Sequence, residues 1–118
     1  MGDISKHFNR QEFSCKCGCG FDTIDAKTLE ALEAVREHFN APVVINSANR
    51  CPSHNASVGG ATRSQHLYSR ACDIVVKGVE VPVVAAYIET LGLSVGIYET
   101  FTHMDTRSGS KWLGGPAR

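Results

Sequence analysis

The stretch that most limits how this chain can fold is Ser64-Gln65-His66-Leu67-Tyr68-Ser69-Arg70-Ala71-Cys72-Asp73, which runs straight into the β-branched segment Ile74-Val75-Val76. A histidine and an aspartate thus stand seven residues apart, with the aspartate at the start of a strand. Thirty residues after Asp73, a second strand-like run, Phe101 to Thr106, carries His103. Residues two apart on a strand share a face. Phe101, His103 and Asp105 therefore point one way, as do Asp73 and Val75 on the earlier strand. If the two strands are sheet neighbours, His103 and Asp73 converge, and His66 reaches over from the preceding loop. Two imidazoles and one carboxylate are the ligand types a catalytic zinc accepts, with a fourth position left for water. His66 and Asp73 alone also fit a solvated loop pair; the third ligand tips the reading towards metal.

The rest of the chain supplies elements for one α+β domain spanning 1–118. Residues 5–21 read as an extended arm, with 1–21 as the N-terminal arm overall. Phe8, Phe13 and Phe21 pin it to the body, and Gly18 and Gly20 make its turns. From Asp25 to about Phe39, Leu29, Leu32, Val35 and Phe39 recur at helical spacing, and Asp22 or Asp25 is placed to cap that helix. His38, near its end, suits the helix dipole better than a metal. Val43-Val44-Ile45 reads as a buried strand, and a short helical turn follows from Pro52 to Val58. Cys72 to Val76 is a second strand. A second main helix is expected from about Val81 to Leu91, with Pro82 at its start and Gly92 after its end. Leu93–Tyr98 and Phe101–Thr106 complete the strands, and the glycine-rich tail, 108–118, reads as loose apart from Trp112. Two main helices on a small, largely antiparallel sheet is the expected architecture.

Formal net charge is zero, so nothing global points to nucleic acid. No run of eighteen apolar residues is present, so no membrane span is expected. The first seven residues lack the apolar core of a signal peptide, which makes a cytoplasmic product the expectation. Four of the seven arginines, Arg50, Arg63, Arg70 and Arg107, fall in or beside the stretches singled out, an arrangement suited to a carboxylate-bearing substrate. The five cysteines cannot all pair within the chain. Cys15, Cys17 and Cys19 lack the C-x-x-C spacing usual for structural zinc. Small buried thiols, or one disulfide to Cys51, are favoured over a second metal site.

These residues carry a resemblance. Ser64-x-His66-x6-Asp73 with the distal His103 is similar to the S-x-H-x-x-G-x-A-x-D plus W-x-H pattern of the zinc D-Ala-D-Ala carboxypeptidases. That family includes phage L-alanyl-D-glutamate endopeptidases and shares its fold with the Hedgehog signalling domain. A compact single-domain branch also resembles this chain at Ser5-x-His7-Phe8-x4-Phe13, at Ser47-x-x-Arg50-Cys51-Pro52-x-His54-Asn55-x-x-Val58-Gly59-Gly60, and at Gly96-x-Tyr98-x-x-Phe101-x-His103-x-Asp105-x-Arg107. The resemblance spans about residues 5–107. It implies a Hedgehog/DD-peptidase-like fold and a monomeric peptidase acting on bacterial peptidoglycan stem peptides. One Zn2+ per chain would be held by His66, Asp73 and His103. Arg50 would grip a substrate carboxylate or carbonyl, or else make a structural contact to its loop; Ser64 would bind substrate or cap its turn. Action on the cell wall follows from the same likeness; with no signal peptide, the routes expected are release by a phage or prophage lysis system, delivery on a phage particle, or export by other means.

Two positions depart from the pattern. The motif glycine after His66 is Ser69, and Thr100 stands where many relatives carry the catalytic acid. The nearest carboxylates are Asp105 and Glu99. Asp105 serves either as general base or as the group that orients a ligand, and Glu99 is the other candidate base. A zinc-stabilised binding module without turnover is therefore the competing function. A redox or metal-transfer role for Cys15–Cys19 is a more distant third.

Overall fold

A computed structural model of the chain describes residues 4–58, 66, 70–108 and 111–113. The expected first helix forms as α1 (Ala26–Phe39), burying Thr28, Ala31, Leu32 and Val35, with Leu29 and Phe39 packed on the margin of the core. Neither expected aspartate caps it. Asp25 occupies the cap position without a capping side-chain bond, and Asp22 instead faces Arg10 at 4.0 Å. The helix ends at Asn40 in the left-handed region (φ 48°), a conformation a short polar side chain tolerates.

Next come β1 (Val43–Ser47), the short α2 (Pro52–Ser57), β2 (Ala71–Val76), α3 (Val81–Thr90), β3 (Leu93–Ile97), β4 (Thr102–Ser108) and β5 (Lys111–Leu113). The described strands form one sheet in the order β1-β2-β4-β3-β5. The first four pair antiparallel; β5 lies parallel to β3. The α+β, largely antiparallel architecture expected from the sequence is the one observed. The tail departs from expectation, because Lys111–Leu113 completes the sheet edge instead of running loose.

Strand alternation divides this sheet into two faces with different jobs. Val43 and Ile45, Cys72, Ile74 and Val76, Val95, and Met104 point into one hydrophobic core with Leu32 and Val35 of α1 and Val84, Ala85 and Ile88 of α3. The residues between them, Asp73, His103 and Asp105, are buried on the other face. At the end of α1, His38 stacks on Tyr87 of α3 at 3.8 Å between ring centroids, so its main contact is a ring and not only the helix dipole.

The arm is not simply extended. Arg10–Phe13 forms a 3-10 turn, whose start is held by the Asn9 N–H donating to Glu12 Oε2 at 2.6 Å. This turn drives Phe8 and Phe13 into the core, while Phe21 stays half-buried. Glu33 of α1 ties the arm down further: Ser5 Oγ and the His7 N–H donate to its Oε2 at 2.5 and 2.8 Å, and His7 Nδ1 meets its Oε1 at 2.6 Å. His7 is thus a specific anchor of the arm. Gly18 and Gly20 do make the arm's turns, at φ of 81° and 88°, where a side chain would be strained.

Candidate metal centre

Sheet register brings the distant ligands together. β2 pairs with β4 so that Asp73 lies directly opposite His103 and Ala71 opposite Asp105. A bulge between Ile45 and Ser47 puts Ser47 opposite Asp73 from the other side, turning its hydroxyl towards the same face. His66 arrives from the loop before β2, and its carbonyl accepts the Arg50 N–H at 3.0 Å.

Three ligand atoms converge. Asp73 Oδ1 lies 3.2 Å from His66 Nε2 and 2.9 Å from His103 Nδ1, and all three residues are buried. Zinc held at about 2.0–2.1 Å by nitrogen and oxygen ligands would separate tetrahedral neighbours by about 3.3 Å. The donor set fits that ion closely. The outer atoms explain why. His66 Nδ1 sits 2.5 Å from the Ala48 carbonyl, which can only accept, so that nitrogen carries the proton and Nε2 is left to bind metal. His103 Nε2 donates to Asp105 Oδ2 at 2.8 Å, which leaves Nδ1 facing inwards. Two lone pairs and a carboxylate oxygen aimed at one point require a cation or extra protons between them.

Asp73's second oxygen is taken by Arg50 Nη2 at 3.3 Å. Arg50 also donates to Asn55 Oδ1 and Ser47 Oγ, at 3.3 and 3.4 Å. The guanidinium therefore stands at the site, as expected, but turned onto the protein's own groups. Burial would raise the Asp73 carboxyl, yet hydrogen bonds and charge from His103 and His66 hold it well below the usual carboxylate range. For His103, burial pulls the imidazole down, and the two neighbouring carboxylates more than reverse this.

Asp105 is fully buried and fully engaged. Its Oδ1 accepts from the Arg107 N–H and Nε, both at 3.0 Å, and its Oδ2 accepts from Arg107 Nη2 at 2.6 Å as well as from His103. Burial is again outweighed, here by His103 and Arg107, and the carboxyl is held at about 2. Sequence pattern singled out Asp105 and Arg107 but not their pairing with each other, nor the Ala48 carbonyl, which no side-chain motif could reveal. Glu99 is exposed on the β3–β4 turn. With Thr100, Tyr98, Ile97, Val75 and Pro82 it lines a cavity of about 520 Å³ to which none of the three ligands contributes. Ser64, Ser69 and Arg63 lie outside the described residues.

The chain is thus an α+β domain with a buried His–Asp–His group, able to hold a metal ion, on the sheet face opposite the hydrophobic core. The chain belongs to the peptidase M15 family, whose sequence model matches residues 6–105. Members of that family are zinc-dependent peptidases, and the residue types gathered here agree with that chemistry. A search of curated proteins returned no match. No described helix is long and apolar enough to cross a membrane.

Proposed function

We propose that this protein is a zinc peptidase that hydrolyses peptide bonds in bacterial peptidoglycan stem peptides. The observation that carries the reading is the convergence of His66 Nε2, Asp73 Oδ1 and His103 Nδ1, with the outer atom of each residue already held by Ala48, Arg50 or Asp105. His66, Asp73 and His103 would hold one Zn2+, which supplies an acidified water and polarises a carbonyl oxygen.

The chain's own residues divide the remaining work. Asp105 keeps the proton on His103 Nε2 and so presents Nδ1 inwards; Arg107 fixes Asp105 in turn. With both Asp105 oxygens occupied, we assign it to positioning; Glu99, exposed on the adjoining turn and on a cavity apart from the three ligands, is the remaining candidate for proton transfer and acts only by swinging inwards from that turn. Arg50 orients Asp73 and, at the edge of the same site, receives the substrate's carboxylate. Ser64 is proposed as a further substrate contact.

The test is cleavage of purified peptidoglycan and of synthetic stem peptides by the zinc-loaded chain. Released terminal D-alanine would mark a carboxypeptidase, and an internal cut an endopeptidase. His66→Ala should abolish either product, and Glu99→Gln should cost roughly a hundredfold in rate with zinc retained. Zinc-loaded protein that cleaves no cell-wall peptide between about pH 5 and 9 would replace this reading with a zinc-stabilised binding module.

A further inference from the structure

Cys15, Cys17, Cys19 and Cys51 gather away from the His–Asp–His group, with their Sγ atoms all within 4.8 Å of one another. Sγ separations are 3.4 Å for Cys15–Cys17, 3.5 Å for Cys17–Cys51 and 3.9 Å for Cys15–Cys51. A disulfide needs about 2.05 Å, and all four thiols are free, so of the two favoured readings the bridge to Cys51 is not the one observed, while only Cys15 of the four is a buried thiol. Four sulfurs at about 2.3 Å from a tetrahedral zinc would lie about 3.8 Å apart. The cluster has the dimensions of a metal site.

The surrounding backbone is shaped for the same purpose. The Cys15 N–H donates to the Phe21 carbonyl at 2.8 Å and the Gly18 N–H to the Cys15 carbonyl at 3.1 Å, closing a loop in which alternate cysteines face one point. Cys51 caps α2, and its sulfur accepts the His54 N–H at 3.4 Å. The Cys51 N–H in turn donates to Cys15 Sγ at 3.4 Å. Amides directed at sulfur favour thiolate, the form that binds metal.

We propose that Cys15, Cys17, Cys19 and Cys51 bind a structural zinc ion, separate from the His66–Asp73–His103 group, that clamps the N-terminal arm to the loop carrying Arg50. Four thiols bind as four thiolates and release four protons to solvent, with no redox change. The clamp acts where the arm already grips that loop. The Asn49 amide donates to the carbonyls of Phe13, at 2.8 Å, and Thr23, and the next residue, Arg50, reaches Asp73. A metal on Cys51 therefore holds the loop from one side while the site holds it from the other.

The test uses the full chain and needs no peptidase assay. Elemental analysis should find about two zinc ions per chain. Cobalt substitution should give an intense thiolate-to-cobalt charge-transfer band. Cys19→Ser should lose one metal and the band with it, Cys19→His should keep the metal, and His66→Ala should lose the other metal with the band intact. Titration of wild type with an organomercurial should release one zinc as the four thiols react, a readout that holds even if the serine variant fails to fold. One zinc per chain with no charge-transfer band, or a mass showing the loss of two hydrogens through a Cys15–Cys51 or Cys17–Cys51 disulfide, would overturn the proposal. Absence of peptide cleavage would leave it standing.

Discussion

Replacing Asp105 by asparagine separates the two roles a carboxylate at this position could have. The wild-type side chain accepts four N–H groups, two on each oxygen, from Arg107 and His103. An amide has one accepting oxygen, so its NH2 must face either the Arg107 N–H and Nε or the His103 and Arg107 Nη2 pair. At least two donors lose their acceptor. The bond to His103 is the costly one, because Asp105 is fully buried and His103 nearly so, whereas the Arg107 side chain is half exposed and screened. A buried hydrogen bond to a charged group contributes about 1.5–3 kcal/mol, so metal-free Asp105→Asn should unfold roughly 10 °C lower than wild type. A neutral amide, whichever way it turns, either withdraws the acceptor from the His103 N–H or holds it more weakly than a carboxylate, so His103 should bind metal more weakly, by about 10–100-fold, as expected for groups that orient a ligand. Competition with a chromophoric chelator measures the affinity, and calorimetry with and without zinc measures the stability. At saturating zinc, turnover should recover to within about tenfold of wild type. Unchanged zinc affinity with a loss of a hundredfold or more in turnover would refute the positioning role and make Asp105 the base.

Two further outcomes follow from the contacts described. Arg50→Ala should weaken zinc binding and cost about 1.5–3 kcal/mol of stability, because Asp73, Asn55 and Ser47 all lose a donor, and Arg50→Lys should restore little of either; a rise in KM at full zinc occupancy would show the substrate grip, while unchanged zinc affinity, KM and stability in both variants would refute both roles. Burial raises the Glu33 carboxyl, but Ser5 and His7 more than offset this and hold it below its ordinary value. Its contribution is therefore present above about pH 4.3 and lost as pH falls through the lowered folded value. Glu33→Gln should be less stable than wild type at neutral pH and should show a shallower loss below about pH 4.3 in denaturant titrations, and equal acid slopes would exclude Glu33 as the arm's anchor.

Local pattern was enough for the elements whose signals lie within a dozen residues. α1 follows from the spacing of Leu29, Leu32 and Val35, and α3 from Pro82 before and Gly92 after an apolar segment, since burying one face of a helix requires that periodicity. The three ligand types were also legible, because strand alternation fixes which way His103 and Asp73 point once strands are assigned. Pairing of those strands was not. Only the β2–β4 register sets Asp73 opposite His103, and only the bulge in β1 brings Ser47 beside them. β5 was read as loose tail because three residues have no periodicity of their own and become a strand only against β3. The cysteine group shows the same division. Cys15, Cys17 and Cys19 form an unpromising run in sequence, and their fourth partner, Cys51, comes from a loop held by Asn49 on the other side of α1 and β1. Sequence determined which atoms this protein has for binding metal and which way each strand presents them. Tertiary structure decided which of them meet, because contacts between residues far apart in the chain are selected by burial of the shared core, and no local preference encodes that choice.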